Sequence, residues 1–543
     1  MHQAKTPPSG RARSIAALVL LGATLAAPAR GAEAAPASLD PSLAGTTRAP
    51  DGVRRVTYIP EIVKAQLKEE IRRELVEQMK QEGGGAPGAI PEWLRRFHFR
   101  GDARYRAERI LFTRDNVPVL DFNAINTGSP INTSPNSFVD FTNERWLDVD
   151  RNRTRARVRA RLGFDADVVD GLVAAVRVAT GDSASPVSTN QTLGASGGNF
   201  SKYQLLLDRA ALRLDRSRSD GRGVVAQVGR FENPFVSTDL VWDEDVSFDG
   251  LAVKGTAVVG KGRIFLTAGA FPLFATPLDL SPQNQEKFRS HDRWLYAAQA
   301  GIDWRPVERV SFKVAAALHD FYGAQGRASS PCDTDVKGVD CDTDAMRPSF
   351  AQKGNTYFPL RTPSPGALYQ ETLNPTGTPR YEYFGLASKF QVLEGTLRLD
   401  APVGALRLGL DVDAAWNVAF RRGAVAAVAV NNFGSCNGTV CDRFVGGDKG
   451  VLGRIAVGSA TLSRRWDWNL AFTYRYVESD ATLDAFVDSD FGLGGTNLKG
   501  FGVVGSAAVA DNVIASVRWM SADVVAGSPY SVDVLQLDLS ARY

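Results

Sequence analysis

From about residue 96 the sequence alternates, and it does so in long runs. "RWLYAAQAGIDW" (293–304) places Trp294, Tyr296, Ala298, Ala300, Ile302 and Trp304 in one phase. "ALRLGLDVDAAWNVAF" (405–420) sets Leu406, Leu408, Leu410, Val412, Ala414, Trp416, Val418 and Phe420 against Arg407, Asp411, Asp413 and Asn417. "WDWNLAFTYRY" does the same with Trp466, Trp468, Leu470, Phe472, Tyr474 and Tyr476. A period of two puts alternate side chains on opposite faces of a β-strand. Globular strands run to roughly 5–6 residues, whereas a tilted strand needs roughly 9–11 to cross a bilayer. These runs are of the second kind, and aromatics at both ends of an apolar face suit the two membrane interfaces.

Sixteen such strands are predicted, at about 96–111, 151–167, 171–181, 203–215, 222–231, 246–258, 261–271, 293–304, 308–320, 382–400, 405–420, 450–463, 466–479, 497–509, 512–521 and 531–543. Connections after odd-numbered strands are long, and those after even-numbered strands are short, such as "VDG" after 167 and "APVG" at 401–404. A soluble sandwich has no reason to alternate in this way. A transmembrane barrel has short periplasmic turns and long external loops. The expected fold is therefore all-β: a transmembrane up-and-down antiparallel β-barrel of about 16 strands over residues 96–543.

The N-terminus reads as targeting. Lys5, Arg11 and Arg13 precede the apolar stretch 14–29, which is too short to span a bilayer. Residues 1–34 are expected to be a signal peptide, cleaved after Ala29 or Ala34. The Ala/Pro/Ser/Gly-rich 35–57 is expected to be a disordered linker. Residues 58–85 repeat Ile59, Val63, Leu67, Ile71, Leu75 and Met79 and end in a glycine run, which predicts a periplasmic amphipathic or coiled-coil helix. No later stretch is apolar enough for a membrane helix. The net charge of +3 argues against nucleic acid as a partner. Two local cysteine pairs, Cys332/Cys341 and Cys436/Cys441, fall in long connections and read as loop-closing disulfides in an exported protein. Neither is CxxC, and with four histidines no metal centre or cofactor is expected. The acids of "CDTDVKGVDCDTD" (332–344) lack EF-hand spacing. Ser311 and His319 lie more than ~25 Å apart along one strand, too far to act as a hydrolytic pair.

"RNRTRARVRARLGF" (151–164) carries the strongest chemical signal: Arg151, Arg153, Arg155, Arg157, Arg159 and Arg161 occupy every second position. On a strand they form one guanidinium face, which needs water or counter-charge. The strand before it adds Arg100, Arg104 and Arg106 to the same face. Same-face residues lie roughly 6.6–6.8 Å apart, within a Debye length of about 8 Å. A continuous positive stripe lining a wet lumen is expected, paired in part with Asp on neighbouring strands such as Asp102, Asp208 or Asp215. The third long connection holds Asp239, Asp243, Glu244 and Asp245. Folded inward, it would set acids across a constriction from the arginines.

"NRTRARVRARLGFDADV…VRVATGD…NQTLG", "VGRFENPFVSTDLVWDEDVSFDGLAV" and "YEYFGLASKFQV" resemble the putative porin family of Gram-negative outer membranes, from about residue 90 onward. The resemblance implies a signal peptide, a periplasmic helical segment and one barrel, with no catalytic residues and no defined substrate. The terminal "VLQLDLSARY" is similar to the signal read by the barrel assembly machinery. The expected function is passive diffusion of small hydrophilic solutes, biased toward anionic solutes, through a pore set in outer-membrane lipid. A homotrimer is expected by analogy with porins. The rival is a structural or adhesive barrel with a plugged lumen.

Overall fold

The computed structural model describes residues 93–133, 145–195, 197–278, 288–307, 309–364, 380–434, 436–437 and 440–543. The signal peptide, linker and helix expected before residue 86 lie outside the described residues. Sixteen long strands form the wall: β1 (Phe97–Phe112), β2 (Arg153–Val169), β3 (Leu172–Ala179), β4 (Leu206–Asp215), β5 (Gly223–Glu232), β6 (Ser247–Val259), β7 (Gly262–Phe274), β8 (Arg293–Trp304), β9 (Ser311–Tyr322), β10 (Gln391–Val403), β11 (Leu406–Asn417), β12 (Lys449–Gly458), β13 (Trp468–Val477), β14 (Leu498–Ala510), β15 (Val513–Val524) and β16 (Ser531–Arg542). Each pairs antiparallel with its neighbour, and β16 returns to β1 from Asp102↔Arg542 to Phe112↔Val532, which closes the barrel.

The side chains are distributed inside out relative to a soluble protein. Trp468, Leu470, Phe472 and Tyr474 of β13 are exposed on the outer face, as are Tyr105 of β1, Tyr296 of β8 and Trp416 of β11. Arg106, Glu108, Arg157, Arg159 and Arg475 are buried on the inner face. Lipid covers an apolar outer face, while water and counter-charges serve the inner one. At the β1–β16 seam, Tyr543 and Gly101 exchange backbone hydrogen bonds (3.1 and 3.3 Å). A Cβ on Gly101 would meet the Tyr543 ring at 2.2 Å, so the ring fills the space the glycine leaves.

Two expected strands move a bound by five residues or more. The strand expected over 382–400 starts at Gln391, and Phe384–Leu386 instead pairs with Tyr357–Pro359 inside the long connection. Residues 383–387 are buried in both phases, which a wall strand facing lipid cannot be. The strand expected over 450–463 ends at Gly458, whose φ of 149° sets its hydrogen atoms against the Trp468 carbonyl.

At the long-loop end the barrel is filled by its own loops. Phe122 stacks on Tyr357 (4.1 Å between ring centres) and meets Phe384 (5.2 Å). Leu240, Trp242, Phe321 and Phe390 join the same buried apolar cluster. Below it the interior becomes charged.

Candidate functional site

The connection 233–246 between β5 and β6 folds into the barrel. At its base Gly229 and Gly250 are register partners with φ of 111° and 138°. A Cβ at either would lie 2.3 Å from a neighbouring carbonyl, so only glycine allows the bend there. From that base the loop crosses the interior. Val236 donates its N–H to Gln299 of β8 (2.8 Å) and accepts from the same side chain (2.8 Å). Thr238 gives its N–H and hydroxyl to Asp413 of β11 (3.0 and 2.7 Å). Arg398 of β10 donates to the Ser237 carbonyl. Asp239 takes both Arg454 of β12 (2.7 Å) and Arg475 of β13 (3.0 Å), eight strands from where the loop began.

On its return the loop meets the connection 478–497. Asp243 accepts from the Ser489 N–H (2.9 Å) and donates its own N–H to the Phe486 carbonyl (2.7 Å). Asp245 then reaches Arg161 of β2 (3.1 Å) and the N–H and hydroxyl of Thr189 (3.0 and 2.9 Å). Glu244 is mostly exposed, 3.7 Å from Arg159. The 478–497 connection supplies Asp488 to Arg475 (3.1 Å) and Asp490 to Arg106 (2.7 Å) and Arg518 (3.4 Å). Between the two loops and the wall is a cavity of about 590 Å³ bordered by Arg104, Arg398, Arg454, Arg475 and Arg518, and by Asp239, Asp243, Glu244, Asp245, Asp488 and Asp490.

These loop acids do not titrate alike. Burial, reinforced by Asp488 and Asp245, pushes Asp243 well above the usual carboxylate range. Burial likewise raises Asp488, with Asp239 and Asp490 adding to it against Arg475. Asp239 and Asp490 go the other way: burial opposes ionisation, but Arg475 and Arg454 outweigh it at Asp239, and Arg106 and Arg518 at Asp490.

The arginine strand faces inward from Arg153 to Arg161, but its charge is not a continuous stripe. Arg153 pairs with Asp148 (2.5 Å), Arg155 with Glu108, and Arg159 and Arg161 share Asp102 (3.0 and 2.7 Å). On β1, Arg100 pairs with Asp165 and Arg106 with Asp538 (2.8 Å), while Arg104 bonds Asn190 (2.6 Å). Arg157 meets only the Ser188 hydroxyl (3.1 Å). Arg151 precedes the first residue of β2 and is exposed. Asp102 serves the ladder as expected; Asp208 pairs instead with Arg177, and Asp215 with Arg213 (2.8 Å). Register hides this compensation from a single strand, because each partner sits on another strand or loop. Sequence reading missed Arg398, Arg454, Arg475, Arg518, Asp488 and Asp490. The four arginines share the polar phase of their strands, and "DAFVDSDFG" (484–492) carries three aspartates, a sparser cluster than the four acids of 239–245.

Cys332 and Cys341 are disulfide-bonded. The backbones of Cys436 and Cys441 are register partners in a small hairpin. In the acidic loop, Asp342 accepts from Ser330 (2.8 Å) and Asp344 from Arg361 (2.6 Å). His319 is buried against Glu394 (2.8 Å), and Ser311 bonds Asp303 (3.4 Å).

No curated protein matches the sequence. Among solved structures, the outer membrane channel DcaP of Acinetobacter baumannii aligns at 11% identity over 82% of this chain and 97% of that one, with a TM-score of 0.37. The high-pH structure of Pseudomonas putida OprB aligns at 11% over 84% and 96%, with a TM-score of 0.42. Salmonella typhi OmpF in complex with daunomycin aligns at 9% over 82% and 97%, with a TM-score of 0.37. The model of the family described as "Putative porin" matches residues 11–543, nearly the whole chain. The chain belongs to that family and is a porin-like barrel of the outer membrane, a channel fold rather than an enzyme fold.

Proposed function

We propose that the protein is a passive channel for small hydrophilic solutes, with a moderate preference for anions. The reading rests on one observation: a cavity of about 590 Å³ in which wall arginines face the carboxylates of two inward loops. Opposed charge across a narrow wet passage sets up a transverse field, which sorts solutes by size, charge and dipole. The sign of the preference follows from the loop acids. Five arginines and six carboxylates border the cavity, and burial raises the pKa of two of those acids, Asp243 and Asp488, which weakens the acidic side of the field relative to the arginines. Arg104, Arg106, Arg155, Arg157, Arg159 and Arg161 would line the passage, and Asp239, Asp243, Glu244 and Asp245 would form its constriction. The barrel would sit in outer-membrane lipid after delivery by the barrel assembly machinery, as a homotrimer, with residues 58–85 as a helix in the periplasm.

Single-channel recording in planar bilayers, with reversal potential under a KCl gradient, tests this. Stable open steps with a chloride preference are expected, and Arg398→Ser with Arg518→Ser should reduce or invert that preference. A barrel that inserts and passes no current would sink the channel reading. It would favour the rival, a structural or adhesive barrel, which the packed apolar loop cluster around Phe122, Tyr357 and Phe384 supports.

A further inference from the structure

A second recess lies beside the central cavity, lined mostly by residues that follow β3. Its volume is about 510 Å³, and its border includes Arg157, Ser183, Ser188, Asn190, Gln191 and Gln204. Arg157 is buried, 9% exposed. Among the described residues it is the one inward arginine of β1 and β2 with no carboxylate within 4.0 Å. Among the described residues its Nε has no hydrogen-bond partner, and Nη2 is engaged only by the Ser188 hydroxyl.

The surroundings deepen this deficit. Arg157 stands register-opposite Arg106 and Arg104 register-opposite Arg159, so like charges face each other across β1 and β2. The nearby acids are already committed: Glu108 to Arg155 and Gln536, and Asp490 to Arg106 and Arg518. Ser188 also accepts from the Asn190 side chain (3.2 Å), and Asn190 accepts from Arg104 (2.6 Å), whose Nε is likewise without a partner. Donors therefore outnumber acceptors here. Asp182, also on the border, is exposed and caps the Ala184 N–H (3.0 Å). A buried guanidinium needs a counter-charge, and guanidinium geometry suits a carboxylate. The hydroxyls and amides around it match solute hydroxyls, and the volume falls in the range of small-molecule sites.

We propose that this recess is a binding subsite for a polyhydroxylated carboxylate of monosaccharide size, held by Arg157 through its carboxylate. The proposal rests on the lumen being open to solute. Calorimetric titration of the full-length protein in detergent with potassium gluconate, and with glucose as the neutral control, reads binding without needing current. Gluconate should bind at least about tenfold more tightly than glucose, since only gluconate brings a charged acceptor to the guanidinium. Arg157→Gln should abolish that difference and leave glucose unchanged. Arg213→Gln, whose arginine pairs with Asp215 and does not border the recess, should leave it intact. Gln204→Leu, a change at the rim, should weaken gluconate binding itself, and it tests the recess even if Arg157→Gln fails to show the heat-stable mobility of a folded barrel. Equal binding of gluconate and glucose, a preference that survives Arg157→Gln, or gluconate binding unchanged in Gln204→Leu overturns the subsite. Arg157-dependent binding by a barrel that carries no current supports the subsite and overturns only the channel.

Discussion

Arg106 is the most enclosed charge of the wall, 1% exposed, with both Asp538 oxygens at 2.8 and 2.9 Å and Asp490 at 2.7 Å. It joins three structures at once: β1, β16 and the 478–497 loop. Removing one partner of a buried pair leaves the rest uncompensated and costs roughly 3–5 kcal/mol. Arg106→Met is therefore expected to lower the unfolding midpoint of the barrel clearly, in urea or on heating. Arg100→Met, whose side chain is 68% exposed, should change it little. Near-equal midpoints for the two variants would show that the triad contributes no net stability. At this scale the sequence is legible only in part. The phase of Arg106 is plain in "ARYRAE", but its partners are not. Asp538 lies 432 residues away and is brought near only by closure of the barrel, and Asp490 arrives on a loop.

Loops and strands differ in how much the sequence says of them. Period two locates the wall strands because each must separate lipid from water residue by residue. It fails where both faces are buried, as at 383–387. The acids at 239–245 stand out as a cluster, yet where the loop carrying them goes is decided by Asp413, Gln299, Arg454 and Arg475, which no local pattern joins to it. Because Asp413 holds both polar hydrogens of Thr238, Asp413→Ala is expected to free that stretch of the loop. Open-channel current noise should rise at nearly unchanged mean conductance, since the Asp239 anchor remains; a silent, wild-type trace would contradict it. The contact between the two inward loops also gives a pH dependence. Asp243 and Asp488 have raised folded-state pKa values, so they bind protons below those values and gain charge as pH rises through them. Each adds a negative charge to the cavity in doing so. Chloride preference should therefore fall as pH is raised, and the proton-linked stability of the loop contact should be fully present at low pH and lost over the same rise. Asp243→Asn should flatten the reversal-potential profile, and a profile that keeps its slope in this variant and in Asp488→Asn would refute the assignment.

For the molecule as a whole, the wall is closed by β1 and β16, with Tyr543 laid over Gly101. Gly101→Val would displace that ring from the lower end of the seam. The expected result is a barrel that unfolds at lower temperature in the heat-modifiability assay while single-channel conductance, set by inward side chains, stays the same. The seam also orders events in time. Every other wall pair joins strands that follow each other along the chain, whereas this one joins residues some 430 positions apart. The loop-closure entropy of that last pairing is met only after the others have formed. Until then two sticky strand edges are exposed. Closure is therefore expected to be the last wall pairing to form. A fragment lacking the last strand would remain an open sheet, prone to pair with another chain, rather than becoming a smaller channel.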